Sequence, residues 1–143
     1  MSIAISSDCD EQEFIQTVRL NGLLEFNMNK TDGKLMIPNK ELLYVARNEN
    51  NTIIGGIFGV TYLSALEIDV LWVHEDYRGQ GVASQLLKTI EEEAGIIGCR
   101  LSHLSTYSFQ APPFYQKKGY SVCGTVDGFP DNILLYILRK ALI

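Results

Sequence analysis

Cysteine is too scarce and too scattered in this chain to build a disulfide framework or a metal site. Only Cys9, Cys99 and Cys123 are present, and neither a CxxC pair nor zinc-ligand spacing joins them, so they read as reduced, packed thiols and no metal is expected. His74 and His103 are the only histidines; either could carry a proton, but each reads first as a surface or packed residue. Long apolar runs are missing too. The longest, Ile53 to Leu63, is broken by glycines and is well short of the ~20 residues of a membrane helix, so no membrane partner is expected. Positive charge is in deficit, with 12 Lys and Arg against 17 Asp and Glu, a net charge of −5 that argues against nucleic-acid binding. Met1 to Asp8 has no basic stretch followed by an apolar one, which makes a cytoplasmic location the expectation. Repeats, low-complexity runs and Pro/Gly/Ser linkers are also lacking.

What is present suits one globular domain over residues 1–143, with 46% hydrophobic and 20% charged residues. Ile3 to Ile5 reads as a short first strand. Asp8 or Asp10 then serves as N-cap to a helix through Asn27 whose apolar stripe is Phe14, Val18, Leu20, Leu23, Leu24 and Phe26. Asn29 to Lys40 reads as a loop with a turn at Asp32-Gly33. Leu42 to Arg47 and Thr52 to Tyr62 are β-rich and joined by the polar hairpin Asn48 to Asn51, and Leu66 to Val73 is a third strand of this group. From Gly81 the period changes: Val82, Leu86, Leu87, Ile90 and Ala94 make one apolar helical face that stops near Gly95 to Gly98. Cys99 to Tyr107 is a strand. Pro112 and Pro113 at one end, with Lys117, Lys118 and Gly119 at the other, delimit a short helix, and strands at Tyr120 to Val126 and Ile133 to Arg139 follow. The order is β-α-β-β-β-α-β-α-β-β. Its strand-helix-strand unit from Leu66 to Tyr107 requires a parallel pair, so the class is α/β with a mixed sheet.

The most informative segment runs from Trp72-Val73 through Arg78-Gly79-Gln80-Gly81 to Val82-Ala83. Glycines between a strand and a helix start let backbone N–H groups converge, and the helix end adds partial positive charge, so a pyrophosphate is a natural guest. A phosphate loop of the Gly-Lys-Ser/Thr kind is not present. A dinucleotide fingerprint would want a third small residue where Ser84 stands and an acid at the end of the next strand, where Ser105 and Thr106 stand.

The pattern that is met, R/QxxGxG/A, uses Arg78, Gly81 and Ala83 after the strand Leu71-Trp72-Val73, and it resembles the acyl-CoA-binding motif of the GNAT N-acetyltransferases. Ala111-Pro112-Pro113-Phe114-Tyr115-Gln116-Lys117-Lys118-Gly119-Tyr120 is similar to that family's AxxFYxKxGF/Y block, in the right order and at the right distance. The resemblance implies that the amides of Arg78, Gly79, Gln80, Gly81, Val82 and Ala83, with Ser84 beyond, hold the pyrophosphate of acetyl-CoA, with Arg78 adding a full charge. It places the pantetheine arm between Glu67 to Val73 and Leu101 to Tyr107, past Leu71, Trp72 and Val73, with the Val73 amide near the thioester oxygen. Tyr115 matches the tyrosine that protonates the departing thiolate, and Ala111 belongs to the same block. Ser108 stands where many relatives have an asparagine that reaches the cofactor. For the base that takes the amine proton, Glu67 and Asp69 are the candidates, placed on one face by strand alternation, and a water chain stays open.

The function so implied is transfer of an acetyl group to a primary amine of a small molecule or peptide by direct attack in a ternary complex, with a non-catalytic acyl-CoA sensor as the alternative. The family pattern also implies a homodimer through the last strands. Acceptor recognition falls to the first helix, the loop after it and Gly124 to Asn132, with Phe26, Tyr62, Tyr107 and Phe129 as candidate aromatics.

Overall fold

The computed structural model describes residues 2–33 and 39–143. They fall into two compact units, Met1–Met36 and Ile37–Ile143.

In the first unit, Ile3 to Ile5 is irregular where the sequence suggests a strand. Three β-branched or small residues carry strand propensity, but a strand needs a partner edge as well. The helical stretch starts at α1 (Glu11–Phe14), where the Asp10 carboxylate accepts from the Glu13 N–H at 2.8 Å, confirming Asp10 as the cap. It widens into a π-helical segment (Ile15–Leu24) and ends in α2 (Glu25–Thr31), one turn beyond the expected Asn27. The wider π turn explains why the apolar residues here follow an α period only roughly. Left-handed Asp32 and Gly33 form the expected turn, and the Gly33 N–H closes the helix on the Met28 carbonyl at 3.0 Å. The rest of the expected loop, residues 34–38, lies outside the described residues.

The second unit is a six-stranded mixed sheet with β1 (Glu41–Arg47), β2 (Ile53–Tyr62), β3 (Ala65–Val73), β4 (Leu101–Tyr107), β5 (Ser121–Val126) and β6 (Leu135–Ala141) in the spatial order β1-β2-β3-β4-β6-β5. Helix α3 (Val82–Ile96) crosses from β3 to the parallel β4, and the short α4 (Pro112–Lys117) follows β4. Alternation along the strands sends Leu42, Ile57, Leu66, Ile68, Leu104 and Leu138 to one face, where they bury against Leu86, Leu87, Ile90 and Ala94 of α3. The sequence periods specify this packing: i, i+4 and i+8 on the helix, i and i+2 on the strands.

Two irregularities interrupt the sheet near its centre. Strand β3 pairs with β2 as Val70 to Phe58 and then Ile68 to Gly59, so Asp69 is an extra residue, a bulge. Gly59 lies opposite it because a Cβ there would stand 2.7 Å from the Glu67 carbonyl oxygen. The parallel pairing of β3 with β4 spans Ala65 to Ile68 against Leu101 to Leu104, and both strands continue for several residues beyond it. Past Ile68 the two strands therefore diverge and leave a gap between them.

Candidate active site

The gap is lined by main-chain groups, and the neighbouring ladders show which ones. In an antiparallel pair, residues alternate between exchanging both hydrogen bonds with the partner and facing away. The His74 N–H donates to the Ile54 carbonyl at 2.7 Å, so Trp72 and Val70 face β2, while Val73 and Leu71 present their N–H groups to the gap. On the other side, the Ser108 N–H donates to the Leu134 carbonyl at 2.8 Å, so Thr106 faces β6, and Ser105 and Tyr107 face the gap. The Tyr107 amide is already taken by the Gln110 Oε1 at 2.8 Å. A divergent parallel pair with unmet donors suits an extended ligand that carries amides of its own.

At the top of the gap stands the glycine turn. A 3-10 turn, Glu75–Tyr77, leads from β3 to Gly79 (φ 76) and Gly81 (φ 84), both left-handed, and α3 begins at Val82. Gly81 is the N-cap, and among the described residues no side chain caps the first turn of the helix. Most helices fill that position with Ser, Thr, Asp or Asn; here the first-turn donors and the positive helix end are left available to an anion. Arg78 is turned differently from the expectation: its Nε donates to the Val73 carbonyl at 2.9 Å, fastening the turn to the end of β3. Tyr77 is held by Asn48, whose Nδ2 donates to its hydroxyl at 3.1 Å, and the same Asn48 side chain accepts from the Asn50 and Thr52 amides of the β1-β2 hairpin.

A cavity of about 510 Å³ runs from the end of β3 along the turn and the start of α3 to α4, within the size range of small-molecule sites, and no residue of β4 lines it. It brings together most of the expected cofactor residues: Leu71, Trp72 and Val73 from β3; Arg78, Gly79, Gly81, Val82, Ala83 and Ser84 from the turn and α3; and Ala111 and Tyr115 from α4 and its approach. Two expected cofactor residues, Gln80 and Ser108, are not in the lining, and neither of the candidate bases, Glu67 and Asp69, lines it. The Gln80 side chain folds back to the Asp76 carbonyl, with Nε2 donating at 3.4 Å. The Ser108 hydroxyl accepts from the Leu134 N–H at 3.1 Å, which ties it to the chain before β6. Tyr77 and Phe114 line the cavity without having been anticipated. Tyr77 sits one residue before the glycine motif begins, and Phe114 stands beside Tyr115 in the second block.

Tyr115 is partly buried, its ring edge-on to Phe114 at 5.2 Å and to Tyr120 at 5.8 Å. Burial pushes its hydroxyl above the ordinary tyrosine pKa of 10.0, so it is fully protonated at neutral pH and suited to give a proton rather than to take one.

Glu67 and Asp69 are both exposed, on either side of the buried Ile68. Glu67 lies on the sheet face opposite α3, in a row with His103 and Arg139 across β3, β4 and β6. Asp69 is the unpaired bulge residue beside the mouth of the gap, so simple alternation does not govern its direction. Among the described residues no cluster of His, Cys, Asp or Glu could hold a metal ion, and no helix is long and apolar enough to cross a membrane.

A sheet that opens beside an uncapped, glycine-started helix defines a class, the acyl-CoA transferases, and the comparisons place the chain within it. The model of the acetyltransferase (GNAT) domain matches residues 39–122, and the chain belongs to this family. A blasticidin-S acetyltransferase from Streptomyces morookaense is 37% identical over 101 residues, 68% of this chain and 72% of that protein. The crystal structure of an acetyltransferase from Bacillus cereus ATCC 14579 is 36% identical with a TM-score of 0.85, covering 96% of this chain and 97% of that one. An aminoglycoside 6'-N-acetyltransferase complexed with coenzyme A shares the fold at 16% identity, with a TM-score of 0.67 and 98% of each chain covered. The chain is an acetyl-CoA-dependent acetyltransferase.

Proposed function

We propose that the protein transfers the acetyl group of acetyl-CoA to a primary amine of a small cationic molecule by direct attack in a ternary complex, with residues 1–143 serving as one catalytic domain in a reducing cytoplasm. The single observation that carries this reading is the divergence of β3 from β4 beyond Ile68, directly below the uncapped start of α3. The pyrophosphate rests on the amides from Gly79 to Ser84, and the pantetheine arm descends into the gap as a short extra strand. The arm meets Val73 first and Leu71 about 7 Å further from the turn, at the ~3.3 Å rise of a strand residue. The thioester lies at the far end of the arm, so the Leu71 N–H, rather than that of Val73, is the donor to the oxyanion.

In this reading the acceptor enters from the sheet face that carries Glu67. Glu67, alone or through water, takes a proton from the ammonium group, with Asp69 beside the gap as the other candidate. The amine nitrogen attacks the thioester carbon and the carbonyl electrons move to oxygen; the now cationic nitrogen releases its second proton to water, and the return of the oxygen electrons breaks the carbon-sulfur bond. Tyr115 gives its proton to the leaving sulfur and regains one from solvent. Among the described residues neither cysteine nor histidine lines the cavity, which favours direct transfer over an acetylated enzyme.

A small amine acceptor is supported by the relative named for blasticidin S and by the fold shared with an aminoglycoside-modifying enzyme. The net charge of −5 favours encounter with cations. The test is thiol release from acetyl-CoA with blasticidin S, kanamycin, spermidine and a lysine peptide as acceptors. Amine-dependent release with at least one is expected; release with none of them from folded protein contradicts the reading.

A further inference from the structure

A buried polar cluster next to the cavity plays no part in the chemistry above. Tyr120, only 3% exposed, donates its hydroxyl hydrogen to Glu91 Oε2 at 2.6 Å, and its oxygen lies 2.7 Å from the Ser102 Oγ. Glu91 Oε1 accepts from the Lys140 Nζ at 2.7 Å, and the same ammonium stands 5.7 Å from the centre of the Tyr120 ring. No buried side-chain polar atom is left without a partner among the described residues. Burial and the Glu91 hydrogen bond both raise the Tyr120 hydroxyl far above the ordinary tyrosine value, keeping it a permanent donor. The cluster ties together α3 through Glu91, β4 through Ser102 and β6 through Lys140. A phenylalanine would fill the same space, and buried ionic networks are seldom more stabilising than well-packed apolar groups. Stability alone is therefore a poor reason for this arrangement.

The backbone supplies a better one. Helix α4 has only six residues, too few to hold itself in place, and ends at left-handed Gly119. Two reverse hydrogen bonds close it: the Gly119 N–H to the Gln116 carbonyl at 3.2 Å, and the Tyr120 N–H to the carbonyl of Tyr115 itself at 3.0 Å. The contact that accompanies such a cap is here the edge-on pair of Tyr115 and Tyr120. Tyr120 thus holds Tyr115 twice, by main chain and by ring, while its own hydroxyl is fixed directly to α3 and β4 and, through Glu91, to β6.

We propose that Tyr120 is a positioning residue for Tyr115, and that the Ser102-Tyr120-Glu91-Lys140 chain registers the proton-donating tyrosine against the gap where the thioester lies. This rests on the reading of Tyr115 as the acid. Tyr120→Phe keeps the ring and the cap and removes only the anchor. Its kcat should fall about tenfold, as expected for a slightly misplaced group, with KM for acetyl-CoA within about twofold of wild type. In a Tyr115→Phe background the same change should have no further effect, because the two act as one unit. Glu91→Gln, which keeps an acceptor oxygen, should lose less than Glu91→Leu. Equal slowing by Tyr120→Phe in both backgrounds overturns the proposal.

A second readout needs no acceptor. In fluorotyrosine-labelled protein, the 19F resonance of Tyr115, identified by its loss in Tyr115→Phe, should broaden or split in Tyr120→Phe. A sharp, unmoved resonance also overturns the proposal. Absence of turnover in wild type with every panel amine would instead remove the activity reading, and the resonance would still decide the positioning.

Discussion

Replacing Gly81 with alanine separates what the turn does for folding from what it does for binding. At φ 84 an L-residue sits in the left-handed region, yet a Cβ built there meets no atom within 4 Å. The folding penalty is therefore only the conformational one, about 1–2 kcal/mol, or on the order of 4 °C in Tm for each kcal/mol in a chain of this size. Binding should suffer more. The open space the methyl group enters is the seat proposed for the pyrophosphate, and tilting the turn away from two charge-assisted amide bonds removes about 1.5 kcal/mol each. The sum, about 3 kcal/mol, weakens coenzyme A roughly 100-fold. Trp72, the single tryptophan, lines the cavity, so its fluorescence reports the titration directly. Gly59→Ala is the matched control. Its Cβ would meet the Glu67 carbonyl at 2.7 Å and press on Ile90, so it should destabilise the sheet more than Gly81→Ala does. Wild-type affinity for coenzyme A in Gly81→Ala would refute the reasoning, because the turn's amides would then not be the anchor.

Other consequences rest on single residues. Tyr115→Phe should lower kcat by about 100-fold or more while leaving the dissociation constant of coenzyme A within about twofold, measured by turnover and by Trp72 fluorescence. Glu67→Gln should lower kcat/KM most steeply below the acceptor's own pKa, where the amine arrives charged, and least with hydroxylamine, which is neutral at pH 7; an equal loss with both would contradict a base role. Alkaline stability carries a sign as well. The Tyr115 and Tyr120 hydroxyls are both raised above 10.0 by burial, so near that value the folded chain binds more protons than the unfolded one. Their contribution is complete below about pH 10 and is lost as the pH rises beyond it. Tyr120→Phe should flatten that decline in a chemical-denaturation series from pH 8 to 11, and an unchanged slope would argue against the buried hydroxyl.

Periodic packing was the legible part of the sequence. Val82, Leu86, Leu87, Ile90 and Ala94 announce α3, the alternation from Leu42 to Val73 announces the three antiparallel strands, and Gly119 after two lysines announces the end of α4. The glycine turn and the tyrosine block were also readable, because the chemistry of anion binding restricts which residues can serve. What escaped was geometry that depends on a partner. The bulge at Asp69 does not interrupt the apolar alternation before it, and its signal stands on another strand, in the isolated Gly59 opposite. The missing strand at Ile3 to Ile5 had propensity without an edge to join. The Ser108 contact to Leu134 and the cluster around Tyr120 are long-range pairings of polar groups, for which a one-dimensional pattern has no period, and the hold of Arg78 on the Val73 carbonyl depends on how the turn between them folds back.

The most direct measurement is an amide nitrogen-proton NMR titration of the wild-type protein with coenzyme A. The predicted result is that the largest shifts fall on Gly79, Gly81, Val82, Ala83 and Ser84 in the turn and on Leu71 and Val73 in the gap. Saturation at millimolar ligand with those amides unmoved, while others shift or none do, would contradict the account.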